Sequence, residues 1–323
     1  MSSRRRFLAA AGALLAAPLT SEAQGPAARI ALIGPDEEPR YSEIAAGLRG
    51  GLRDLGYREN AIRILEGRTA RSKDADSRLK IQALAQEEVA VFFVIGSALV
   101  GPVRAVAPQA PIVFVTPGDP VAAGLVASLA RPGGKMTAMT FEYPELSAKR
   151  LELLRELSPR IKRVLALYDE RDASPRQGAA AARAAAATLG MSLVERQVSN
   201  ADEIAAGLKA LDGADALLGI PGGVTAAHYA TMIAAANARR LPSIFYTRTR
   251  STREALLTYG ASDVDVARQA ARLVDKILKG ANAGDLPVER PAKLTLVVNS
   301  TTAKTLGIAV PHGLVLRADQ VIE

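Results

Sequence analysis

The chain has no cysteine, no tryptophan and only two histidines. Without cysteine there is no disulfide, no thiolate nucleophile, no iron–sulfur cluster and no thiolate-held zinc. Nor is there a lipid-bearing cysteine to tether an exported chain to a membrane. His228 and His312 stand far apart, so neither a histidine-rich metal site nor a Ser-His-Asp triad is expected. Aromatics make up 4% of the residues, too few for the stacking platforms that hold single-stranded nucleic acid. Beyond the N-terminus no uninterrupted apolar run is long enough to cross a bilayer. Common catalytic and phosphate motifs are missing too. Ser97 lies in Ile-Gly-Ser-Ala-Leu rather than a G-x-S-x-G elbow, and Gly96 to Gly101 lacks the Lys-Ser/Thr of a phosphate loop. No G-x-G-x-x-G follows the first apolar run. These absences exclude a cofactor, a metal and a nucleic-acid partner from the expectation.

What is present is a pattern stated twice. From Arg29 come a strand (Ile30 to Ile33), a helix ending at Leu55-Gly56, a second strand, a third running into Gly96-Ser97, and a fourth at Pro111 to Thr116. From Lys162 the order recurs, with a helix ending at Leu189-Gly190, a strand from Asp215 into Gly222-Gly223, and Pro242 to Thr247. Gly56 and Gly190 are 134 positions apart, Pro111 and Pro242 131. Two copies of one βα unit in 323 residues imply an α/β chain of two doubly wound parallel-sheet lobes, with a ligand between them. Apolar runs such as Val89 to Ile95 are continuous rather than alternating, as in strands covered on both faces. Within the first copy, 120–129 is expected as a helix. After it a strand at 255–259, a helix at 263–279, extended segments and a helix near 300–306 have no counterpart in the second copy, and read as recrossings between lobes.

The first residues read as an address. Arg4-Arg5-Arg6 forms a basic, twin-Arg-like start, Ala9 to Leu19 a short apolar stretch, and Ser21-Glu22-Ala23 a small-x-small cleavage site. Residues 1–23 are therefore expected to be a signal peptide, the mature chain starting near Gln24 as a soluble periplasmic protein that is not membrane-embedded. Its removal takes away three Arg and one Glu, so the net charge of +8 falls to +6. That charge supports at most a weak attraction for anionic solutes.

In doubly wound sheets, ligands bind beyond the carboxyl ends of the strands. The residues placed there are Asp36 and Glu37, then Gly96, Ser97 and Ala98, then Thr116 and Asp119. In the second copy they are Tyr168 and Asp169, Gly222 and Gly223, and Tyr246. Gly96-Ser97 at a helix start offers N–H groups and a hydroxyl to a carboxylate, although Ser97 is equally a plain N-cap. Asp119-Pro120 reads either as a contact or as cap and first helical residue. Gly222-Gly223 suits close backbone approach or an ordinary turn. The tyrosines suit an apolar ligand group, and Asp169 a ligand ammonium.

The chain resembles the extracytoplasmic solute-binding proteins of ABC transporters, in the type I group that includes tryptophan and aromatic amino-acid binders. The resemblance covers about Ala28 to Glu323. It rests on Asp119-Pro120-Val121 through Arg131-Pro132-Gly133-Gly134, Lys149 to Leu154, Asp275 to Gly280, Asp285 to Val288, Thr302 to Gly307 and Arg317 to Glu323. It implies a two-lobed receptor that closes on a small-molecule solute and delivers it to an ABC permease in the inner membrane. Where relatives commonly have Pro-Asp, this chain has Pro221-Gly222, which shifts the expectation from an amino acid toward an organic acid. The expected lobes are 28–140 with about 248–288, and 141–247 with about 289–323. Hinges are expected at Thr140, Phe141 and Glu142, near 247–254 and near 287–293, in a monomer without enzymatic activity. An exported sensing module for a membrane signalling partner is the alternative reading, and an exported hydrolase a weaker one.

Overall fold

A computed structural model describes residues 27–36, 40–69, 75–142, 144–247, 249 and 252–323. The first lobe begins with β1 (Ala28–Pro35), α1 (Arg40–Asp54), β2 (Ile62–Thr69) and α2 (Ala75–Ala85). It continues with β3 (Val91–Ile95), α3 (Val100–Val106), β4 (Ile112–Pro117) and β5 (Met136–Glu142). Next come α4 (Pro144–Leu157), β6 (Arg163–Tyr168), α5 (Ala173–Thr188), β7 (Ser192–Gln197), α6 (Ala201–Leu208) and β8 (Ala216–Gly219). They are followed by α7 (Gly223–Ala226), α8 (Tyr229–Ala238), β9 (Ser243–Phe245), β10 (Leu257–Gly260) and α9 (Asp263–Leu278). The chain ends with β11 (Thr295–Asn299), α10 (Ser300–Leu306), α11 (His312–Leu316) and β12 (Gln320–Ile322).

The five strands of the first sheet lie in the order β2-β1-β3-β4-β5 and are all parallel. The second sheet repeats that winding as β7-β6-β8-β9-β10, then adds β11 antiparallel and β12 parallel to β11. Each lobe thus has its order reversal beside its first strand, where a doubly wound sheet opens a crevice. Central strands are apolar throughout because helices cover both faces: Val91 to Ile95 and Ile112 to Val115 are all buried.

The repeat runs one strand further than its sequence rhythm suggests. β10 is the second copy's fifth strand, the counterpart of β5, and pairs with β9. Residues 252–260 therefore stay with the second lobe, and the expectation that about 248–288 returns to the first is corrected to begin at α9. After each fifth strand the next helix packs on the other lobe. α4 lies against β8, β9 and β10, whereas α9 lies against α1, β3, β4 and β5. In α4, Arg150 is wholly buried and its Nε donates to the Tyr259 carbonyl of β10 at 2.9 Å. In the first lobe, Gly47 and Gly51 let α1 and α9 touch backbone to backbone. A Cβ at these positions would stand 2.3 Å from the Val264 carbonyl oxygen and 2.4 Å from that of Arg268.

Residues 120–129 form successive turns, not the expected helix. Asp119 caps the first turn, but Gly124 takes φ 68°, a left-handed conformation that stops propagation. The Leu125 N–H then returns to the Pro120 carbonyl at 2.9 Å.

Candidate functional site

The strand ends named from the sequence fall into different surroundings. Asp36 follows β1, is exposed, and pairs with Arg68 at 3.2 Å; Glu37 lies outside the described residues. Gly96 takes φ 88°, gives its N–H to the Val115 carbonyl, and leaves open space where a Cβ would be. Ser97 and Ala98 begin the short 3-10 turn that leads into α3, both half-buried. Thr116 is buried, and its hydroxyl donates to the Pro117 carbonyl at 2.9 Å. Asp119 spends its carboxylate on the N–H groups of Val121 and Ala122, at 2.8 and 3.3 Å, as a cap does.

In the second lobe, Tyr168 is a core residue whose hydroxyl donates to Glu195 on β7 at 3.0 Å. Burial and that carboxylate raise its pKa. Asp169 is held by its neighbour Arg171, which donates twice, at 2.8 and 2.7 Å. Burial pushes this carboxyl up, but the Arg171 hydrogen bonds bring it to a net value below the usual range. Gly222 has extended backbone and caps α7; its Cβ would lie 3.0 Å from the Pro175 ring, so the glycine serves close packing on α5. Gly223 is the first residue of α7. Tyr246 is buried, with a hydroxyl turned to Asp263.

Two groupings form that the sequence does not announce. The first spans the cleft. Ser97 Oγ of the first lobe lies 3.4 Å from Asp172 Oδ1 and 3.5 Å from Ser174 Oγ at the start of α5. One turn on, Gln177 accepts the Asp119 N–H at 2.9 Å. Gly118, at φ 86°, leaves the room these side chains occupy, since its Cβ would lie 3.0 Å from both Ser174 and Gln177. Asp172 is the N-cap of α5 and accepts the Ser174 N–H. Burial raises its pKa, with the Ser174 and Ser97 hydrogen bonds pulling the other way. The capping pattern Asp172-Ala173-Ser174 was the available signal, one turn beyond the residues picked out.

The second grouping stands where the lobes meet. Arg40 opens α1 after β1, Phe141 is the next-to-last residue of β5, Tyr246 follows β9, and Asp263 opens α9 after β10. The Arg40 guanidinium lies 5.5 Å from the centre of the Phe141 ring, and its Nε is 3.7 Å from Asp263 Oδ2. Tyr246 donates to the same Oδ2 at 2.8 Å, and its ring stands 6.0 Å from Phe141 and 6.2 Å from Tyr229. Burial raises the Asp263 pKa, while Arg40 and Tyr246 oppose the rise. Burial and the Asp263 charge lift Tyr246 well above the ordinary tyrosine range.

The chain passes between the lobes after β5, between β10 and α9, and between α9 and β11. At the first passage the Thr140 hydroxyl donates to the Gly118 carbonyl, and Phe141 is buried. The Thr140 N–H meets the Glu289 carbonyl at 3.0 Å, so β5 runs beside the third passage. The second hinge expected near 247–254 lies between β9 and β10, which pair in the same sheet, and its residues 248, 250 and 251 lie outside the described residues. The middle passage lies at Ala261-Ser262 instead, because β10 belongs to the second sheet. Among the described residues no three metal-ligating side chains come together, and no helix is long and apolar enough to cross a membrane.

Residues 29–322 match the profile of the family described as ABC transporter substrate binding protein. The Tyrosine-binding protein of Clostridioides difficile (strain R20291) is 22% identical over 271 residues, which is 84% of this chain and 78% of that protein. The ABC domain from Streptococcus pneumonia, solved in complex with L-Trp, is 21% identical and covers 92% of this chain and 100% of its own, at a TM-score of 0.84. A conserved domain protein from Vibrio cholerae O1 biovar eltor is 25% identical with a TM-score of 0.84, over 91% and 99% of the two chains. Both structures share the two-lobed type I periplasmic-binding fold. This chain belongs to the ABC transporter substrate-binding protein family, whose members bind a solute and are not enzymes.

Proposed function

We propose that this member of the family is the extracytoplasmic receptor of an ABC importer, closing two lobes on a small solute that bears a carboxylate. An amino acid with an aromatic side chain is the first candidate, and a membrane permease the partner. The observation that carries the reading is the junction group, a guanidinium against aromatic rings at the strand ends of both lobes. Arg40 offers a carboxylate charge-assisted hydrogen bonds, and the rings beside it suit an apolar or aromatic side chain. The tyrosine and L-Trp named for two similar proteins agree with it. Ser97 suits the carboxylate less well than its place in the sequence implies, because Asp172 beside it would face a like charge. We assign Ser97, Ser174 and Gln177 to closure of the lobes, with the three chain passages as hinges.

Protein purified and then denatured should release its solute, and mass spectrometry should identify an amino acid. Titrating that solute back should reduce the radius of gyration in small-angle scattering. Release of a sugar, or no compaction at saturation, would sink the reading.

The same reading puts the protein outside the cytoplasm, with residues 1–23, outside the described structure, as the export signal. Changing Arg4→Lys together with Arg5→Lys should block export by the twin-Arg route. Unchanged export would assign general secretion instead, and full-length protein held in the cytoplasm of wild-type cells would contradict the localisation.

A further inference from the structure

We infer that Asp263 accepts the ammonium group of the ligand, and that the solute is accordingly an α-amino acid rather than a simple organic acid. The inference rests on the proposed function and chooses within it. Asp263 opens α9 at the middle passage, and its side chain has no exposed surface. One oxygen, Oδ2, is taken by the Tyr246 hydroxyl at 2.8 Å and faces Arg40 at 3.7 Å. The other, Oδ1, is equally enclosed and has no hydrogen-bond partner.

A carboxylate oxygen removed from water without a donor is costly, and the lobes carry that cost at their junction. A ligand that brings an N–H donor to Oδ1 relieves it, so binding and closure favour a solute with such a group. An ammonium also supplies the opposite charge that keeps a buried carboxyl ionised. The charge pattern fits as well. Arg40 and Asp263 present a cation and an anion side by side, and an α-amino acid carries the complementary pair on adjacent atoms. Laid head to tail across them, it puts its carboxylate on Arg40 and its ammonium on Asp263. A desamino acid fills only the first half.

The test compares L-tyrosine and L-tryptophan with 3-(4-hydroxyphenyl)propanoate and 3-indolepropanoate, by calorimetric titration of wild type and Asp263→Asn. Wild type should prefer each amino acid over its desamino partner by about 10- to 100-fold, the range of one hydrogen bond to a charged group. Asp263→Asn should erase most of that preference, bringing each amino acid and its desamino partner to within about threefold of one another, a difference below one kilocalorie per mole. A purely structural Asp263 would weaken both classes alike, leaving the preference intact and overturning the inference. Equal binding of both classes by wild type overturns it too, yet leaves a carboxylate receptor standing. If wild type binds none of the four, the aromatic amino-acid reading falls and this inference with it. Should Asp263→Asn not fold, a crystal structure of the wild-type complex with L-tyrosine decides. The amino nitrogen within hydrogen-bond reach of Asp263 Oδ1 supports the assignment, and its placement on Asp172 or on a water overturns it.

Discussion

Arg40→Ala is expected to weaken binding of the co-purifying solute by about a hundredfold, the effect of losing a charge-assisted, two-pronged grip on a carboxylate. The guanidinium is held in place by the protein itself. It rests on the Phe141 ring and beside Asp263, with a side chain only 12% exposed. Lysine at this position should recover little, because an ammonium offers a point charge without the planar fork. The substitution also leaves Asp263 enclosed without its cation, so stability should fall, and removing one partner of a buried pair costs about 3–5 kcal/mol. Combining Arg40→Ala with Asp263→Asn separates the two effects: stability should recover and affinity should not. Calorimetric titration with thermal melts measures both. An affinity within about threefold of wild type in folded Arg40→Ala would remove Arg40 from the site.

A loss of stability from a different cause is expected from Gly47→Leu. The α1–α9 contact leaves no volume there, since even a Cβ would press within 2.3 Å of the Val264 carbonyl oxygen. The obstacle is backbone, which cannot rotate away, so the helices must part. Overpacking of this kind costs about 3 kcal/mol, or roughly a 10 °C fall in the unfolding midpoint of a lobe this size. Because α9 begins with Asp263, parting the helices also displaces the junction and should lower solute affinity. Gly101→Ala is the companion measurement. Gly101 sits in α3 with nothing near its Cβ position, so alanine should raise stability by about 0.5–1 kcal/mol through helix propensity. A midpoint for Gly47→Leu equal to wild type would show that the helices tolerate separation.

Much of the architecture was legible without coordinates. Continuous apolar runs marked the covered strands, and helix ends were marked by Leu55-Gly56, Leu189-Gly190 and Gly280, each glycine taking positive φ. The doubled rhythm pointed to two similar sheets. It failed at the fifth strand of the second copy. Leu257 to Gly260 looks like any other short apolar run, and only its pairing with β9 assigns it to a lobe.

The candidate site was readable from the sequence only as a set of loops, without the contacts of its side chains. Winding rules place the ends of β3, β4, β6, β8 and β9 near one crevice, and those are local inferences from strand and helix order. They do not say where a side chain turns. Thr116 spends its hydroxyl proton on its own strand, Tyr168 turns to β7, and Asp169 is occupied by a residue two positions on. Conversely, no acid at Pro221-Gly222 suggested an organic acid as solute, while Asp263 read as nothing more than the start of a helix. Residue order alone therefore determined the two α/β copies and the candidate loops, because hydrophobic period, caps and glycines act over a few residues. Tertiary structure decided that Ser97 meets Asp172, and that Arg40, Phe141, Tyr246 and Asp263 share one junction. Those contacts join positions up to 223 apart in sequence. Each depends on how two separately wound sheets are set against one another, a relation that no local pattern encodes.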